Sequence, residues 1–544
     1  MNNLLFAVVL SVVFSPLAWA QTPTPVSGKM VTNERAQGES AKPSPSPSPA
    51  VGEAAPPELP AAQEILTQLG KTTSGNQSLY PGFPPPPGDK GPRDGMYHAM
   101  LSVMDAQAGR TEQARTNATE AVRLLANPND DAQFYARGVA HQELKNYDLA
   151  IADFEKAIQL NPQRAIAYYN RALVYSAKEE IDRALVSLDR AIELNPKLAG
   201  AYLSRGKIYS AKGDFTRAIA DYDKSIELRP GQASTYTLRG NAYADKGDHD
   251  RAIADFDIAI QLAPQNPGAY FYRGNSYHRK GNRERALADF SKAIELEGGE
   301  DALSYNLRGT IYTEAGDHDR AIADYSKAIQ LNPRLSDAYR YRGQAYSTKG
   351  DYDRALADFD KMVQLDPELP RGYASRAYMY FVKGDSDRAL TDFDKAIQLD
   401  PRDAGSYFYR GSIHSGKGDY NRAIADFDMA VQLAPERLVV HVYFNRGIAY
   451  ARKGDQDRAL ADFDRVIKVK PSNAAPYLAR GNSYSSKGNY ERAIADYSEA
   501  IRVEPASAEA YENRAKAYEA LGESTKAQAD RDKAAELKRQ ERKP

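Results

Sequence analysis

The sequence contains no cysteine and a single tryptophan, Trp19. Without cysteine the chain forms no disulfide, offers no thiolate to a metal and carries no lipid on a cysteine. An excess of one charge is also lacking, because 72 Lys and Arg residues balance 73 Asp and Glu residues and leave a net charge of −1. A balanced chain has no electrostatic basis for binding nucleic acid or an anionic membrane surface. We therefore expect neither partner.

A hydrophobic run long enough to span a membrane is missing as well. The apolar run near the amino terminus covers residues 4–14, whereas a spanning helix needs roughly 20 residues. Ala18, Trp19 and Ala20 follow it and precede Gln21, a pattern typical of a signal-peptide cleavage site. Residues 1–20 are predicted to be a signal peptide, with an uncleaved anchor as the alternative. The mature chain is predicted to have no transmembrane helix and to be exported, to the periplasm, the cell surface or the medium.

Residues 21–95 are rich in Pro, Ser, Gly, Ala and Thr and include the runs KPSPSPSP and FPPPP. Such a composition buries too little apolar surface to fold alone, and its prolines favour an extended chain. We predict a disordered linker over these residues. A transient helix or a docking motif is the alternative at residues 65–69, where a short amphipathic stretch occurs.

The rest of the chain is repetitive. One aromatic residue recurs every 34 residues, with two departures of 35 and 36 residues, at the following twelve positions: Phe134, Tyr168, Tyr202, Tyr236, Tyr270, Tyr305, Tyr339, Tyr373, Tyr407, Tyr443, Tyr477 and Tyr511. Self-similarity at this period indicates a solenoid of stacked supersecondary units. We predict twelve repeats over residues 131–537, a degenerate helix pair before them at residues 96–130 and a charged tail after them at residues 538–544.

Each repeat has the pattern of two helices joined by a turn. Tyr202, Gly206 and Tyr209 follow one another at i, i+4 and i+7, which places them on one face of a first helix. Gly213 suits the left-handed residue that ends this helix, and Asp214 suits the N-cap of the second. The sequence therefore predicts a helix, a tight turn and a second helix in every unit.

The pattern of residues 201–230 resembles the tetratricopeptide repeat family, in which aromatic, small, aromatic, Ala, aromatic, Ala and Pro residues stand at fixed offsets. The resemblance covers residues 134–537. It implies an all-α fold, a right-handed superhelical solenoid of tandem antiparallel helix pairs. It also implies that a partner binds in the concave groove lined by the first helices.

One departure from the family pattern is systematic, because the Leu often found before the small residue is Arg in every repeat. Sixteen residues later stands an Asp in eleven of the twelve repeats, Ser187 being the exception. We interpret Arg205 with Asp221, and Arg239 with Asp255, as structural pairs that join the two helices. A row of guanidinium groups for anionic ligands is the alternative.

The candidate partner-binding residues lie on a second stripe of the first helices, at the position after each aromatic and about one and two turns later. We call these positions the stripe. They include Tyr169, Asn241, Phe271, Asn275, His278, Thr310, Gln344, Phe408, Ser412, Phe444 and Asn482. Aromatic residues among small hydrogen-bonding ones suit extended peptides and also glycan chains. Packing against the neighbouring first helix is the alternative role for some of them.

Two irregularities interrupt the period, at residues 297–300 and at residues 437–447. We expect each to bend the array locally. Tolerated insertions are the favoured interpretation, because repeat arrays accept them readily, and recognition sites are the alternative.

No nucleophile with a base, no cluster of metal ligands and no glycine-rich phosphate loop is recognisable. We therefore expect no enzyme, cofactor or metal, unless the first 130 residues hide a site. The predicted function is a non-catalytic scaffold that binds segments of partner proteins in the cell envelope or outside the cell. The alternative is a non-catalytic part of an envelope polysaccharide or protein secretion machine that guides glycan chains.

Overall fold

A computed structural model describes residues 91–434 and 436–541, and in these residues all regular secondary structure is helical. The 26 helices alternate between a first and a second helix of each pair. The first helices are α1 (Pro92–Gln107), α3 (Asp131–Glu143), α5 (Ala165–Ala177), α7 (Ala199–Ala211), α9 (Ala233–Asp245), α11 (Pro267–Arg279), α13 (Ala302–Glu314), α15 (Ser336–Thr348), α17 (Pro370–Val382), α19 (Ala404–Gly416), α21 (Glu436–Lys453), α23 (Ala474–Ser486) and α25 (Ala508–Ala520). The second helices are α2 (Thr111–Leu124), α4 (Tyr147–Leu160), α6 (Ile181–Leu194), α8 (Phe215–Leu228), α10 (His249–Leu262), α12 (Arg283–Leu296), α14 (His318–Leu331), α16 (Tyr352–Leu365), α18 (Ser386–Leu399), α20 (Tyr420–Leu433), α22 (Gln456–Val469), α24 (Tyr490–Val503) and α26 (Ser524–Glu541).

These helices form two compact units, whose boundary in the sequence lies between Ile311 and Tyr312. We call residues 91–311 the N-terminal unit and residues 312–541 the C-terminal unit. Within each, the two helices of a pair pack on each other, and the second helix also packs on the first helix of the following pair. The structure thus confirms the predicted all-α array of tandem helix pairs.

The turns inside the pairs are built as the sequence predicts. Gly213 has φ of 76°, a left-handed conformation that costs glycine little. The carboxylate of Asp214 then accepts a hydrogen bond from the backbone N–H of Arg217 at 3.0 Å, which caps α8. Two turns depart from this rule, because Lys145 and Glu179 take the left-handed position with φ of 60° and 63°.

The small residue in each first helix permits a close approach of the second helix. A Cβ atom added to Gly206 would lie 2.7 Å from the ring of Tyr222, which is fully buried. The equivalent rings of Phe256 and Phe290 are also fully buried. In most repeats the interior of the pair is therefore one large ring packed against glycine or alanine, and volume there is tightly constrained. The exceptions are α6, where Leu188 takes the place of the ring, and α26, where Arg531 does.

Both irregularities of the period are accommodated at the ends of helices. The added residue near position 298 lies in a turn where Gly298 and Gly299 have φ of 63° and 82°. The two residues added before Tyr443 lengthen α21, which has 18 residues where most first helices have 13. Neither insertion interrupts the body of a helix.

The structure places two predicted boundaries inside helices. Helix α1 begins at Pro92, ahead of residue 96, because proline fits the first turn of a helix, where its missing N–H is not needed. Helix α26 continues past residue 537 to Glu541, and Lys538 forms an ion pair with Glu512 of α25. The predicted signal peptide, most of the predicted linker including residues 65–69, and residues 542–544 lie outside the described residues. None of the described helices is long and apolar enough to cross a membrane.

Candidate partner-binding stripe

The arginines that recur in every repeat face inward, toward aspartates of the second helices. Arg205 donates from Nε and Nη2 to the two carboxylate oxygens of Asp221 at 2.9 and 2.7 Å. Arg239 makes the same bidentate contact with Asp255 at 2.8 and 2.6 Å. Asp221 and Asp255 are buried, at 5% and 4% exposure. Charge-assisted bidentate bonds of this kind hold both partners in a fixed geometry, so these arginines are engaged within the fold rather than presented to an anionic ligand.

Each of these arginines also has an acceptor in the preceding pair. The Nη1 atom of Arg205 donates to Asp189 at 2.6 Å, and that of Arg239 donates to Asp223 at 2.6 Å. The hydrogen bond to Asp221 raises the pKa of Arg205, and Asp189 adds to this effect. A guanidinium therefore bridges two successive second helices. We call this series of contacts the arginine ladder, and sequence spacing alone did not reveal its second acceptor.

The ladder tolerates both irregularities. Arg308 donates to Ser291, 17 residues earlier, at 3.0 Å, whereas regular repeats use a partner 16 residues earlier. Arg446 donates to Asp428, 18 residues earlier, at 2.6 Å. The extra residues are thus absorbed outside the ladder, which agrees with their interpretation as tolerated insertions.

The aromatic residues of the stripe pack largely within their own helix pair. Phe271 lies 5.9 Å from Phe290 between ring centroids, and Phe444 lies 6.0 Å from Phe463. Tyr169 is half-buried and hydrogen-bonds with Ser204, and burial raises its pKa. The ring planes meet at 62° and 57°, an edge-on and a tilted contact, so packing within the helix pair accounts for part of the surface of Phe271 and Phe444.

Phe408 and Ser412 require a correction, because the structure buries both. Phe408 is 3% exposed, and its ring lies 6.0 Å from that of Phe427. Ser412 is 7% exposed, and its hydroxyl donates to the carbonyl of Phe408 at 2.8 Å. Large rings on the neighbouring first helix, Tyr378 and Phe381, close over Tyr409 here. Their burial removes Phe408 and Ser412 from the accessible part of the stripe.

The ring cluster around Tyr409 was not singled out in the sequence. Tyr378, Phe381 and Phe393 all lie within 5.9 Å of the Tyr409 ring between centroids. Burial raises the pKa of Tyr409 well above its ordinary value, and burial raises that of Tyr378 to about 12. The available signal in the sequence was at the stripe positions of α17. They carry large aromatic residues where most repeats carry small or polar ones.

The polar residues of the stripe other than Ser412 remain accessible. Asn241, Asn275, His278, Thr310 and Gln344 are half-buried, and Asn482 is exposed. Thr310 donates to the carbonyl of Asn306 at 3.1 Å. Asn482 accepts hydrogen bonds from Tyr497 at 2.8 Å and from Asn513 at 3.1 Å.

Three of these polar residues differ from the others. Within the described chain, the side-chain amides of Asn241, Asn275 and Gln344 have no intramolecular hydrogen-bond partner. They occupy the same position of α9, α11 and α15, five residues after the repeat aromatic. Each amide offers two donors and an acceptor to whatever lies beside it.

Three charged side chains on first helices were missed by the sequence analysis. Glu143, Lys207 and Asp245 lie on α3, α7 and α9 and form no hydrogen bond or ion pair with any described residue. Burial raises the pKa of Glu143 and of Asp245 and lowers that of Lys207. Without the positions of neighbouring helices, the sequence offered no means to separate them from ordinary surface charges. Among the described residues, no three carboxylates or imidazoles converge as a metal site would require.

The regular helix pairs and the arginine ladder define a tandem helix-pair repeat protein. A family model described as TPR repeat matches residues 206–247, 240–281, 309–350 and 481–522. Models described as tetratricopeptide repeat match residues 132–164, 165–198, 267–299, 336–369, 376–437, 440–473 and 508–541. The chain belongs to the tetratricopeptide repeat superfamily.

Solved structures with related repeats include three examples. The Cut9–Hcn1 hetero-tetramer of the APC/C is 15% identical, with 78% of this chain and 96% of that chain covered and a TM-score of 0.42. MamA is 30% identical over 30% of this chain and 94% of its own, with a TM-score of 0.28. YrrB, described as a TPR protein with an unusual peptide-binding site, is 26% identical over 36% and 97%, with a TM-score of 0.31. No curated protein matches the chain.

Proposed function

We propose that this protein is a non-catalytic scaffold that binds extended segments of partner proteins along the stripe of its first helices. Solenoids of this kind use the surface created by stacked repeats for binding. The observation that carries the proposal is the pair of unpartnered amides at one repeat position of the N-terminal unit, Asn241 and Asn275. An extended peptide offers backbone N–H and C=O groups at regular intervals, which amides on successive first helices can satisfy in turn.

The packing of the stripe favours a peptide over a glycan. Sugar rings are held largely by the open faces of aromatic side chains. Here Phe271, Phe408 and Phe444 direct their rings against Phe290, Phe427 and Phe463 of the second helices. Phe408 is buried and Phe271 and Phe444 are half-buried, so most of the accessible stripe consists of hydrogen-bonding and charged groups, and we place protein segments ahead of glycan chains as the ligand.

The site of action that we propose is the cell envelope or the exterior of the cell. It rests on the apolar run at residues 4–14 and on Ala18-Trp19-Ala20 before Gln21. Fractionation of cells followed by amino-terminal sequencing tests it directly. A chain that begins at Gln21 in the exported fraction supports the proposal, whereas a chain that keeps residue 1 in the cytosolic fraction contradicts it.

Photo-cross-linking tests the binding stripe. A photoreactive residue is placed at Asn241 or at Asn275, and as a control at Glu227, an exposed residue of α8 whose side chain is 66% accessible. Mass spectrometry of the captured material then identifies the cross-linked peptide. We expect one extended segment to be captured at the two stripe positions, and the same segment as a synthetic peptide to bind the purified chain. Capture at the stripe that equals capture at Glu227 would overturn the proposal.

A further inference from the structure

The stripe changes character in the C-terminal unit, where two first helices place apolar side chains on it. Phe381 and Val382 of α17 and Ile448 of α21 stand where most repeats carry small or polar residues, and Phe444 precedes Ile448 by one helical turn. We call these four residues the apolar patch. Val382 is 37% exposed, and the other three are half-buried. Part of the patch is therefore open to solvent, and covering it with a ligand is favourable.

Helix α19 connects the two halves of the patch, because it contacts both α17 and α21 directly. The ring of Phe381 lies 5.6 Å from the ring of Tyr409 on α19 between centroids. Phe381, Phe444 and Ile448 all pack against a single hydrophobic cluster that contains Tyr409. The two halves of the patch therefore belong to one cluster of side chains.

A basic charge borders this patch. Arg452 follows Ile448 by four residues and Phe444 by eight, which places the three side chains on one face of α21. Arg452 is exposed, and within the described chain it forms no ion pair. At the position of Arg452, α17 carries Val382 and α19 carries Gly416. Because glycine has no side chain, no side chain of α19 at this position separates the guanidinium from the α17 half of the patch.

A substitution in α20 leaves a second basic charge, Lys453, without a counter-charge. In the other pairs of the C-terminal unit that have a lysine in the turn, this lysine pairs with the aspartate at the second position of the preceding second helix. These ion pairs are Lys349 with Asp319, Lys383 with Asp353, Lys417 with Asp387 and Lys487 with Asp457. Asn421 takes the place of the aspartate in α20, and Lys453 forms no ion pair with any described residue. The nearby Asp455 is held by Arg458 at 3.6 Å, so Arg452 and Lys453 are two uncompensated positive charges at the end of α21.

Acidic residues are absent from this part of the stripe. None of the stripe positions of α15, α17, α19, α21 and α23 carries Asp or Glu, and the charged residues there are Arg340 and Arg452. Arg340 pairs with Asp337 of its own helix at 2.8 Å. Arg452 is therefore the charge of this region that is left for a ligand.

We propose that the apolar patch, with Arg452 and Lys453 at its border, binds a partner segment in which apolar side chains stand beside acidic residues. This inference rests on the proposed function, because it assigns the chemistry of a segment that the stripe binds. Apolar side chains of the partner cover surface that is otherwise in contact with water. Its carboxylates meet two cations that have no counter-charge in the fold, whereas the same cations repel a basic segment.

Selection from a phage-displayed library of random 16-residue peptides on the purified protein is the first test. We expect the retained peptides to combine apolar with acidic residues and to be depleted in Lys and Arg. The affinity of one retained peptide is then measured by fluorescence anisotropy for the protein and its variants. Raising the salt concentration should weaken binding, because the two cations are exposed.

Two substitutions test the basic charges without altering the apolar patch. Arg452→Gln removes one charge, and Asn421→Asp supplies Lys453 with the carboxylate that the other pairs have. Each should weaken binding about threefold, and the two together about tenfold, as expected for exposed charges. The matched control is Asp457→Asn, which removes the partner of Lys487 in the following pair and should not weaken binding.

The substitution Val382→Asp tests the patch itself. It places a carboxylate on exposed apolar surface, and binding should fall about tenfold or more through charge repulsion and lost apolar contact. The matched control is Val469→Asp on the second helix α22, where Val469 is 60% exposed, and this variant should bind the peptide normally. Thermal melting followed by circular dichroism establishes that each variant is folded.

The outcomes separate this inference from the proposed function. Retained peptides that are basic or wholly polar, or whose binding is insensitive to Val382→Asp but lost in Asn275→Ala, would refute the inference and leave the proposed function intact. A photoreactive residue at Val382 that captures residues 58–69 of the predicted linker, or a second copy of the chain, would assign the patch to the protein itself and overturn the inference. Failure to retain any peptide would contradict both.

Discussion

Arg239 holds Asp255 of its own helix pair by two hydrogen bonds, at 2.8 and 2.6 Å, and reaches Asp223 of the preceding pair by a third, at 2.6 Å. The guanidinium also lies over the ring of Tyr236, 5.6 Å from its centroid. The same arrangement recurs at Arg410, with Asp426 and Asp394. Neighbouring helix pairs are therefore joined by polar as well as hydrophobic contacts. The two acceptors of Arg239 differ in burial, because Asp255 is buried and Asp223 is exposed.

The two acceptors of Arg239 should contribute unequally to stability. Asp255→Ala leaves the guanidinium without its buried acceptor, and we expect a loss of about 3–5 kcal/mol. Asp223 is 52% exposed, so Asp223→Ala should cost less than about 1 kcal/mol. Hydrogen exchange of α9 and α10 is the appropriate measurement, because long repeat arrays unfold in segments. Equal losses of stability in Asp255→Ala and Asp223→Ala would contradict the prediction that the buried pair of Arg239 and Asp255 contributes more.

Ser187→Asp should stabilise the repeat that lacks an aspartate. Arg171 donates to the hydroxyl of Ser187, at 3.3 and 3.2 Å, and its other close acceptor is Glu155 of the preceding pair, at 3.8 Å. A carboxylate in the place that it occupies in eleven other repeats should add about 1–2 kcal/mol. The same substitution in an Arg171→Ala background should destabilise, because the carboxylate would be buried without a partner. Chemical denaturation of the four chains decides this, and a gain that persists without Arg171 would contradict the explanation.

The turns at Lys145 and Glu179 have strained backbone conformations that a glycine would relieve. Lys145 and Glu179 have φ of 60° and 63°, which costs a residue with a Cβ atom about 1–2 kcal/mol. Lys145→Gly and Glu179→Gly should therefore raise the melting temperature, with a gain of about 1 kcal/mol each after the greater freedom of glycine in the unfolded chain is included. Gly213, with φ of 76°, provides the reverse substitution as a control. Gly213→Ala should lower the melting temperature. An unchanged melting temperature for both glycine variants would refute the prediction.

Acidification should weaken the fold around His441. Burial lowers the pKa of this imidazole from 6.5 to about 4, and the ammonium of Lys470 contributes in the same direction. The unfolded chain therefore binds the proton at a higher pH than the folded chain, and the stability present above pH 6.5 is lost as the pH falls toward 4.

Comparison with His441→Gln isolates this effect. The melting temperature of the unmodified chain should fall faster than that of the variant between pH 7 and pH 5. Around pH 8 the imidazole is neutral in both the folded and the unfolded state. The difference in melting temperature between the two chains should therefore not change with pH there. Parallel curves throughout this range would contradict the pKa assignment.

The sequence by itself determined the period, the class of fold and the turn between the two helices of a pair. These features depend on residues close together in the chain, such as Gly213 and Asp214 at the turn, whose conformational preferences act locally. The pairing of Arg239 with Asp255 was also predictable, because two helices joined by a short turn bring a fixed spacing into contact. Phe408 was misjudged because its place on the stripe does not show how deeply its ring packs beside Phe427 of the second helix.

Only the tertiary structure decided which charges find a partner in a neighbouring helix pair and which find none. Asp223 is an acceptor of Arg239 because the preceding helix pair packs against the following one, and this contact has no local signature. Glu143, Lys207 and Asp245 look like ordinary surface residues in the sequence, and their lack of a partner follows from the packing of neighbouring helices. Desolvation and pairing are properties of neighbouring atoms in space, so they become visible only when the pairs are assembled.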